Sequence, residues 1–329
     1  MNIDSSLPTK EQLPSSFAIY ADNLSAISVT GEEADKYLQG QLTCDVNQLA
    51  EKHLLVGGHC DAKGKLFSAF RLINHFEQRL LIQNKLALNE SLAQLNKFGV
   101  FAKVDINEAT DLDFLALVGD EAKAFINDNF HSVPDSFNPV VNDNGVSIVY
   151  ICGATNRYLI IAKQDKVKAL ASATNLPVFG QKVWSLLEIT SGFVDMNAAS
   201  VNEYVPQMLN LQLVNGISFT KGCYLGQETV ARMKYLGRNK KALYALQTTG
   251  DTKWQLDVEI NEQSALEKQL GDNWRNAGNI ISHYQADDGT IYVQAVLAND
   301  TEENAVLRLK HQNGIKFSLM PLPYSLQES

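Results

Sequence analysis

The sequence contains no Cys-x-x-Cys pair, and its four cysteines, Cys44, Cys60, Cys152 and Cys223, stand far apart. That argues against a secreted disulfide scaffold and favours a reducing compartment. No apolar run is long enough to span a bilayer. The first residues, with Asp4, Glu11 and scattered serines and prolines, lack the charged-then-apolar order of a secretion signal. A cytoplasmic location without a membrane partner is expected. No Gly-x-Gly-x-x-Gly follows a strand-like run, and no Gly-Lys-Ser/Thr of the phosphate-loop kind occurs, so nucleotide binding by those routes has no support. Positive charge is also scarce. With 28 Lys and Arg against 37 Asp and Glu, the net charge is -9, which argues against wholesale coating of nucleic acid but leaves room for a local basic patch. No internal repeat is visible.

What is present is a folded chain of 329 residues, 45% hydrophobic, too long for one ordinary core. Residues 1–16 read as a polar, loosely held arm. Strand-like runs at Phe17–Ala21 and Leu24–Val29 lead to Thr30-Gly31-Glu32-Glu33, whose Thr-x-x-Glu form predicts a capped helix over Glu32–Gln39. Strands are expected at Leu54–Cys60 and Leu66–Asn74, joined through the turn-rich Asp61-Ala62-Lys63-Gly64, then at Leu80–Gln83. A helix follows over Leu86–Phe98 and a strand over Val100–Ile106. A second unit of the same kind follows: strand Phe114–Val118, helix Glu121–Asn127, strands Val146–Ile151 and Tyr158–Ala162, and helix Val167–Ala173. This alternation predicts an α+β fold of split units rather than a doubly wound sheet. Trp184–Thr190 reads as a helix running into Ser191-Gly192-Phe193.

From Ala242 the chain becomes short strands and turns: Leu243–Gln247, Leu256–Ile260, Asn279–Tyr284, Ile291–Leu297, Val306–Leu309 and Ile315–Leu319, with Asp287-Asp288-Gly289 as a hairpin turn. That spacing predicts a small β-barrel. The expected division is a flexible arm over 1–16, an α+β region over 17–238 in two subdomains (17–110 and 111–238), and a barrel over 239–329. The linker falls near Arg238-Asn239.

The densest chemistry lies in Lys221-Gly222-Cys223-Tyr224-Leu225-Gly226-Gln227-Glu228, between a loop and a helix expected over Thr229–Leu236. Glycines suit backbone that turns sharply or lies close against something. Cys223, near a helix start and beside Lys221, with Arg232 further on, has two features that favour a thiolate. A small thiol packed under a tight turn would leave the same sequence. Arg232, Lys234, Arg238, Lys240 and Lys241 put five cations into ten residues. They read equally as a solvated face or as an anion site for carboxylates or phosphates. His59-Cys60-Asp61 offers three ligand types. Neighbours on a strand point to opposite faces and no second Cys/His pair completes a set, so no metal is expected.

The octapeptide resembles the signature of the YgfZ family, the tRNA-modifying, folate-binding relatives of the glycine-cleavage T-protein. Three further stretches resemble the same family in the same order: Tyr37-Leu38-Gln39-Gly40-Gln41-Leu42-Thr43-Cys44-Asp45-Val46, His59-Cys60-Asp61-Ala62-Lys63-Gly64-Lys65 and Pro321-Leu322-Pro323-Tyr324-Ser325-Leu326. The resemblance implies an aminomethyltransferase-like fold of two interlocked α/β subdomains and a C-terminal barrel around a central opening. It implies tetrahydrofolate as cofactor and a role in iron–sulfur cluster assembly and tRNA processing, serving iron–sulfur enzymes that thiomethylate tRNA. Cys223 would be the functional thiol, and Trp184, before a helix ending in Gly-Phe, the pterin contact. Leu24 stands where the family has its other folate tryptophan and offers no aromatic face. Two alternatives remain open. A one-carbon transferase would need a positioned carboxylate, for which Asp45 and Asp61 are the candidates. A direct tRNA-binding module is disfavoured by the acidic balance and the lack of an RNA-binding motif.

Overall fold

The computed structural model describes all residues except Ala154, Arg238, 250–259, 261–263, Asn313 and 327–329. In chain order the elements are β1 (Phe17–Tyr20), β2 (Leu24–Thr30), α1 (Ala34–Gln39), α2 (Leu49–Lys52), β3 (Leu54–Cys60), β4 (Leu66–His75), β5 (Gln78–Asn84), α3 (Leu88–Gly99) and β6 (Asp105–Glu108). Then come β7 (Leu112–Val118), α4 (Asp120–Asn129), β8 (Val140–Asp143), β9 (Val146–Ile151), β10 (Arg157–Lys163), α5 (Gln164–Ala173), β11 (Val178–Phe179), α6 (Gln181–Ser191) and α7 (Gln227–Tyr235). The last third holds β12 (Lys241–Thr248), β13 (Ala265–Leu270), β14 (Asn273–Gln285), β15 (Ile291–Ala298), β16 (Leu307–Leu309) and β17 (Lys316–Leu319).

Two sheets and a barrel result. One sheet runs β3-β4-β5-β2-β6, the other β11-β1-β7-β10-β9-β8, and β12-β15-β14-β13-β16-β17 close into a six-stranded barrel. The first strand of the chain belongs to the second sheet, paired parallel to β11 and antiparallel to β7. The two α/β halves are therefore interlocked by covalent topology.

Helix α6 is the post around which the parts assemble. Val183, Trp184, Leu186, Leu187, Ile189 and even Glu188 and Thr190 are buried on it, as expected of a helix packed on all sides. Trp184 and Leu187 share a core with Ile19 of the second sheet, Leu24 and Ile73 of the first, and Tyr284 and Tyr292 of the barrel. The helix stops at Gly192, in the left-handed region at φ 67°. A side chain there would sit 2.8 Å from the Tyr324 hydroxyl, and that hydroxyl donates to the Gly192 carbonyl at 2.5 Å.

Several sequence expectations change. The Thr30 capping box does not form: Thr30 ends β2, paired with Asp105, and α1 begins at Ala34 without a side-chain cap. The arm over 1–16 is not loose. Asp4 bridges to Phe179, the Asp287 amide donates to the Leu7 carbonyl, and the Tyr284 hydroxyl donates to the Pro8 carbonyl. The strand expected at Val100–Ile106 starts only at Asp105. In the barrel, β13 was not foreseen, while 256–259 of the expected strand Leu256–Ile260, and Arg238 of the linker, lie outside the described residues. Among the described residues, no helix is long and apolar enough to cross a membrane.

One buried group makes the first sheet acid-sensitive. His59 on β3 is fully buried, its Nδ1 2.9 Å from the Ser91 hydroxyl, its Nε2 unpartnered. Burial pushes its pKa down to about 3. Unfolded, the imidazole takes up its proton near pH ~6.5. The unfolded state therefore binds more protons between those values, and stability falls as pH falls, by ~1.4 kcal/mol per pH unit. His59→Asn should abolish this slope. Urea titrations should find the wild-type-minus-variant stability difference about 2 kcal/mol smaller at pH 5 than at pH 7. A pH-independent difference would show that His59 is not buried neutral.

Candidate functional site

Three of the four motif stretches meet in one place. Gly226 (φ 85°) and Gly64 (φ 75°) face each other. A Cβ on Gly226 would lie 2.5 Å from the Asp61 carbonyl oxygen and 2.9 Å from Gly64 Cα, so the octapeptide and the β3–β4 turn touch backbone to backbone. The Leu225 amide donates to the Gly40 carbonyl at 3.1 Å. Thr43 ties the third stretch in: its hydroxyl donates to the Gly216 carbonyl and accepts from the Gly58 amide at 2.8 Å.

Lys221 completes this clamp. Its ammonium is buried and donates to the carbonyls of Leu42 (2.8 Å) and Cys44 (2.7 Å). Burial lowers its pKa to about 8. The charge is anchored between two backbone carbonyls. Helix α7 starts at Gln227 with Gly226 as its cap, two residues before the expected Thr229 and so nearer to Cys223. Arg232 pairs with Glu228 on the same helix. Cys223 itself is exposed.

Beside this clamp, between the two α/β halves, opens a cavity of about 1030 Å³. Its lining includes Cys44, Asp45 and Lys52 from the first half, Tyr150, Cys152 and Arg157 from the second, and Phe193, Phe219, Lys234 and Tyr324 from later segments. Cys223, Lys221, Trp184 and Leu24 are not among the lining residues. Cys44 is buried, which pushes its thiol up to about 12 although the Lys221 ammonium opposes the shift.

Two of the lining residues, Arg71 and Arg157, belong to a charge cluster that sequence reading missed. Glu188 on α6 accepts from Arg71 through both oxygens, at 3.0 and 3.1 Å, and pairs with Arg157 at 2.7 Å. The Arg71 guanidinium lies 3.9 Å over the Phe193 ring. That of Arg157 lies 4.5 Å over Trp184, which is 1% exposed. Trp184 therefore stands behind Arg157, inside the core that also holds Leu24. A signal was there to read: Arg71 interrupts the apolar run Leu66–Asn74, and Glu188 interrupts Trp184–Ile189. Charges in such runs are rarely buried without partners.

The two candidate carboxylates differ. Asp61 accepts from the amides of Lys63 (2.9 Å) and Lys65 (2.8 Å) and serves the turn. Asp45 lines the cavity but is held by the Gln39 side chain at 2.8 Å. Of the basic run, Lys234 reaches the cavity, its ammonium 3.9 Å over Phe219, while Arg238 lies outside the described residues. His59, Cys60 and Asp61 diverge, and among the described residues no group of three or more His, Cys, Asp or Glu is arranged to hold a metal.

Comparison with known proteins agrees with this architecture. A family model described as the YgfZ β-barrel domain matches residues 239–312. The chain is 51% identical over 320 residues to the "tRNA-modifying protein YgfZ" of Colwellia psychrerythraea, covering 97% of both chains. It is 37% identical over 324 residues to the protein of that name from Yersinia enterocolitica, covering 98% of this chain and 96% of the relative. The crystal structure of the glycine cleavage system aminomethyltransferase T from Bartonella henselae matches with a TM-score of 0.67, covering 95% of this chain and 87% of that one at 14% identity. At that identity the likeness carries the fold alone: two interlocked α/β subdomains and a terminal barrel.

Proposed function

This chain is a member of the YgfZ family of tRNA-modifying proteins, and we propose that it is a folate-binding accessory protein supporting iron–sulfur enzymes, including those that thiomethylate tRNA. The cavity is the observation that carries this reading. A tetrahydrofolate combines a flat heterocycle, an aminobenzoyl ring and a glutamyl tail. The cavity's size suits a ligand of that class. Its residues suit the parts: aromatic faces at Phe193, Tyr150 and Phe219, guanidinium donors at Arg71 and Arg157, and exposed ammonium groups at Lys52 and Lys234. When bound, the folate would supply a one-carbon carrier. The chain's own part is to enclose and orient it. Trp184 acts through Arg157, as the flat support that fixes the guanidinium plane, and Leu24 fills the core behind it.

Cys223 is then left for a different task. It is exposed and outside the cavity lining, so its thiol is presented to a partner protein rather than to the ligand. The transferase alternative is weakened because Asp61 is committed to its turn and Asp45 to Gln39. The direct tRNA alternative gains little from one cavity-lining lysine of the basic run.

The test is a titration with 5-formyltetrahydrofolate, followed by tryptophan fluorescence, on wild type and Cys223→Ser. Both should bind with the same affinity. In cells lacking the wild-type protein, the serine variant should fail to restore thiomethylated tRNA. Absence of folate binding to the folded wild type would remove the cofactor reading. Full restoration by Cys223→Ser would remove the thiol from the function.

A further inference from the structure

Arg157 is a buried cation with unfilled donors beside the cavity. It is 1% exposed, and the cavity reaches it. Its Nε has no acceptor. Its Nη1 is 2.7 Å from Glu188 Oε1, close enough for an ion pair but not aligned as a hydrogen bond. Its Nη2 has only a long contact, 3.4 Å, to the Ser191 hydroxyl. A guanidinium has five N–H donors, and leaving them unmet away from water is costly. Glu188 has little more to give, since Arg71 already takes both of its oxygens. Asp195, the next acid, is held by Asn84 at 2.6 Å and does not line the cavity. Burial raises its pKa to about 6. Burial likewise lowers the pKa of Arg157 against the opposing pull of Glu188.

Such a cation, placed 4.5 Å over the Trp184 ring with Arg71 and Ser191 beside it on the lining, is preorganised for an incoming oxygen. We propose that Arg157, with Arg71 beside it, forms a donor subsite that takes a carboxylate or ring carbonyl oxygen of the cavity's ligand. The planar fork of arginine suits such oxygens better than a lysine would. Trp184 is a positioning residue for this subsite. The inference rests on the folate reading for the ligand's identity and on the geometry alone for the chemistry. In a folate, the oxygen would come from the glutamyl tail or from the pterin ring.

Calorimetric titration with three probes separates these. 5-Formyltetrahydrofolate carries both groups, p-aminobenzoylglutamate only the tail, and tetrahydrobiopterin only the ring. Arg157→Met leaves Glu188 paired with Arg71, and it should weaken the probe that supplies the oxygen by about tenfold or more. Weakening of p-aminobenzoylglutamate alone assigns the tail; weakening of tetrahydrobiopterin alone assigns the ring. If 5-formyltetrahydrofolate binds a folded Arg157→Met as it binds wild type, the subsite is wrong and the folate reading survives. If it does not bind wild type while p-aminobenzoylglutamate does so through Arg157, the subsite stands and the folate reading falls. If none of the three binds wild type, the subsite is also overturned. Should Arg157→Met fail to fold, the Nε–H proton resonance of Arg157 in the wild type gives the answer. It should shift on adding the bound probe, and an unmoved resonance at saturation would overturn the proposal.

Discussion

Glu188→Leu should cost the protein about 3–5 kcal/mol of folding stability, the usual penalty for removing one partner from a buried charge cluster. Domains of this kind are stable by only ~5–15 kcal/mol, so the loss should be plain in urea unfolding. The volume change is small and the helix propensity is kept, which leaves the charge as the cause. Arg71 and Arg157 would lose their shared carboxylate while still 6% and 1% exposed. Glu188→Gln should lie between, because an amide oxygen can accept from one guanidinium but carries no charge. The position on α6 makes the effect global: the helix packs on β1 of the second sheet and on β14 and β15 of the barrel, and Glu188 itself binds Arg71 of the first sheet. Leucine and wild type agreeing within about 1 kcal/mol would mean that the guanidiniums are solvated. The electrostatic account of the cluster behind the cavity wall would then fail.

The same cluster shows where sequence reading reaches and where it stops. The α+β units, the barrel and the place of the octapeptide were legible, because periodicity and turn residues report local geometry and the motifs report a family. Side-chain direction was not. Trp184 was expected to face a ligand, yet helix α6 turns that face into the core and puts Arg157 across the ring. Lys221 was expected to act on its neighbour in sequence, yet the close approach of residues 42–44 gives its ammonium two carbonyls. Both outcomes depend on contacts between residues separated by 27 to about 180 positions, which no local window contains. Arg71, Arg157 and Glu188 illustrate the converse. Arg71 and Glu188 were visible as charges in apolar runs, whereas Arg157 follows the polar pair Thr155-Asn156, and the meeting of all three depended on how two sheets pack on one helix.

Gly226→Ala should undo the docking of the octapeptide, and here the cause is steric rather than electrostatic. At φ 85° an alanine is strained by roughly 1–2 kcal/mol before any contact is counted. Its Cβ would then stand 2.5 Å from the Asp61 carbonyl oxygen and 2.9 Å from Gly64 Cα. Both are backbone atoms that no rotamer change can move. The β3–β4 turn and the octapeptide must therefore separate, with a combined loss of about 3 kcal/mol or more. Gly222→Ala is the control within the same motif. Its Cβ meets nothing within 4 Å, so its stability should stay within about 0.5 kcal/mol of wild type. Cys223 is present in both variants, which makes the comparison informative for function. If presentation of the thiol on a docked frame is what matters, Gly226→Ala should fail to restore thiomethylated tRNA while Gly222→Ala succeeds. Equal stability and equal complementation by the two would show that the octapeptide tolerates separation from the turn, and Cys223 would then owe nothing to the clamp that Gly226, Gly64 and Lys221 build.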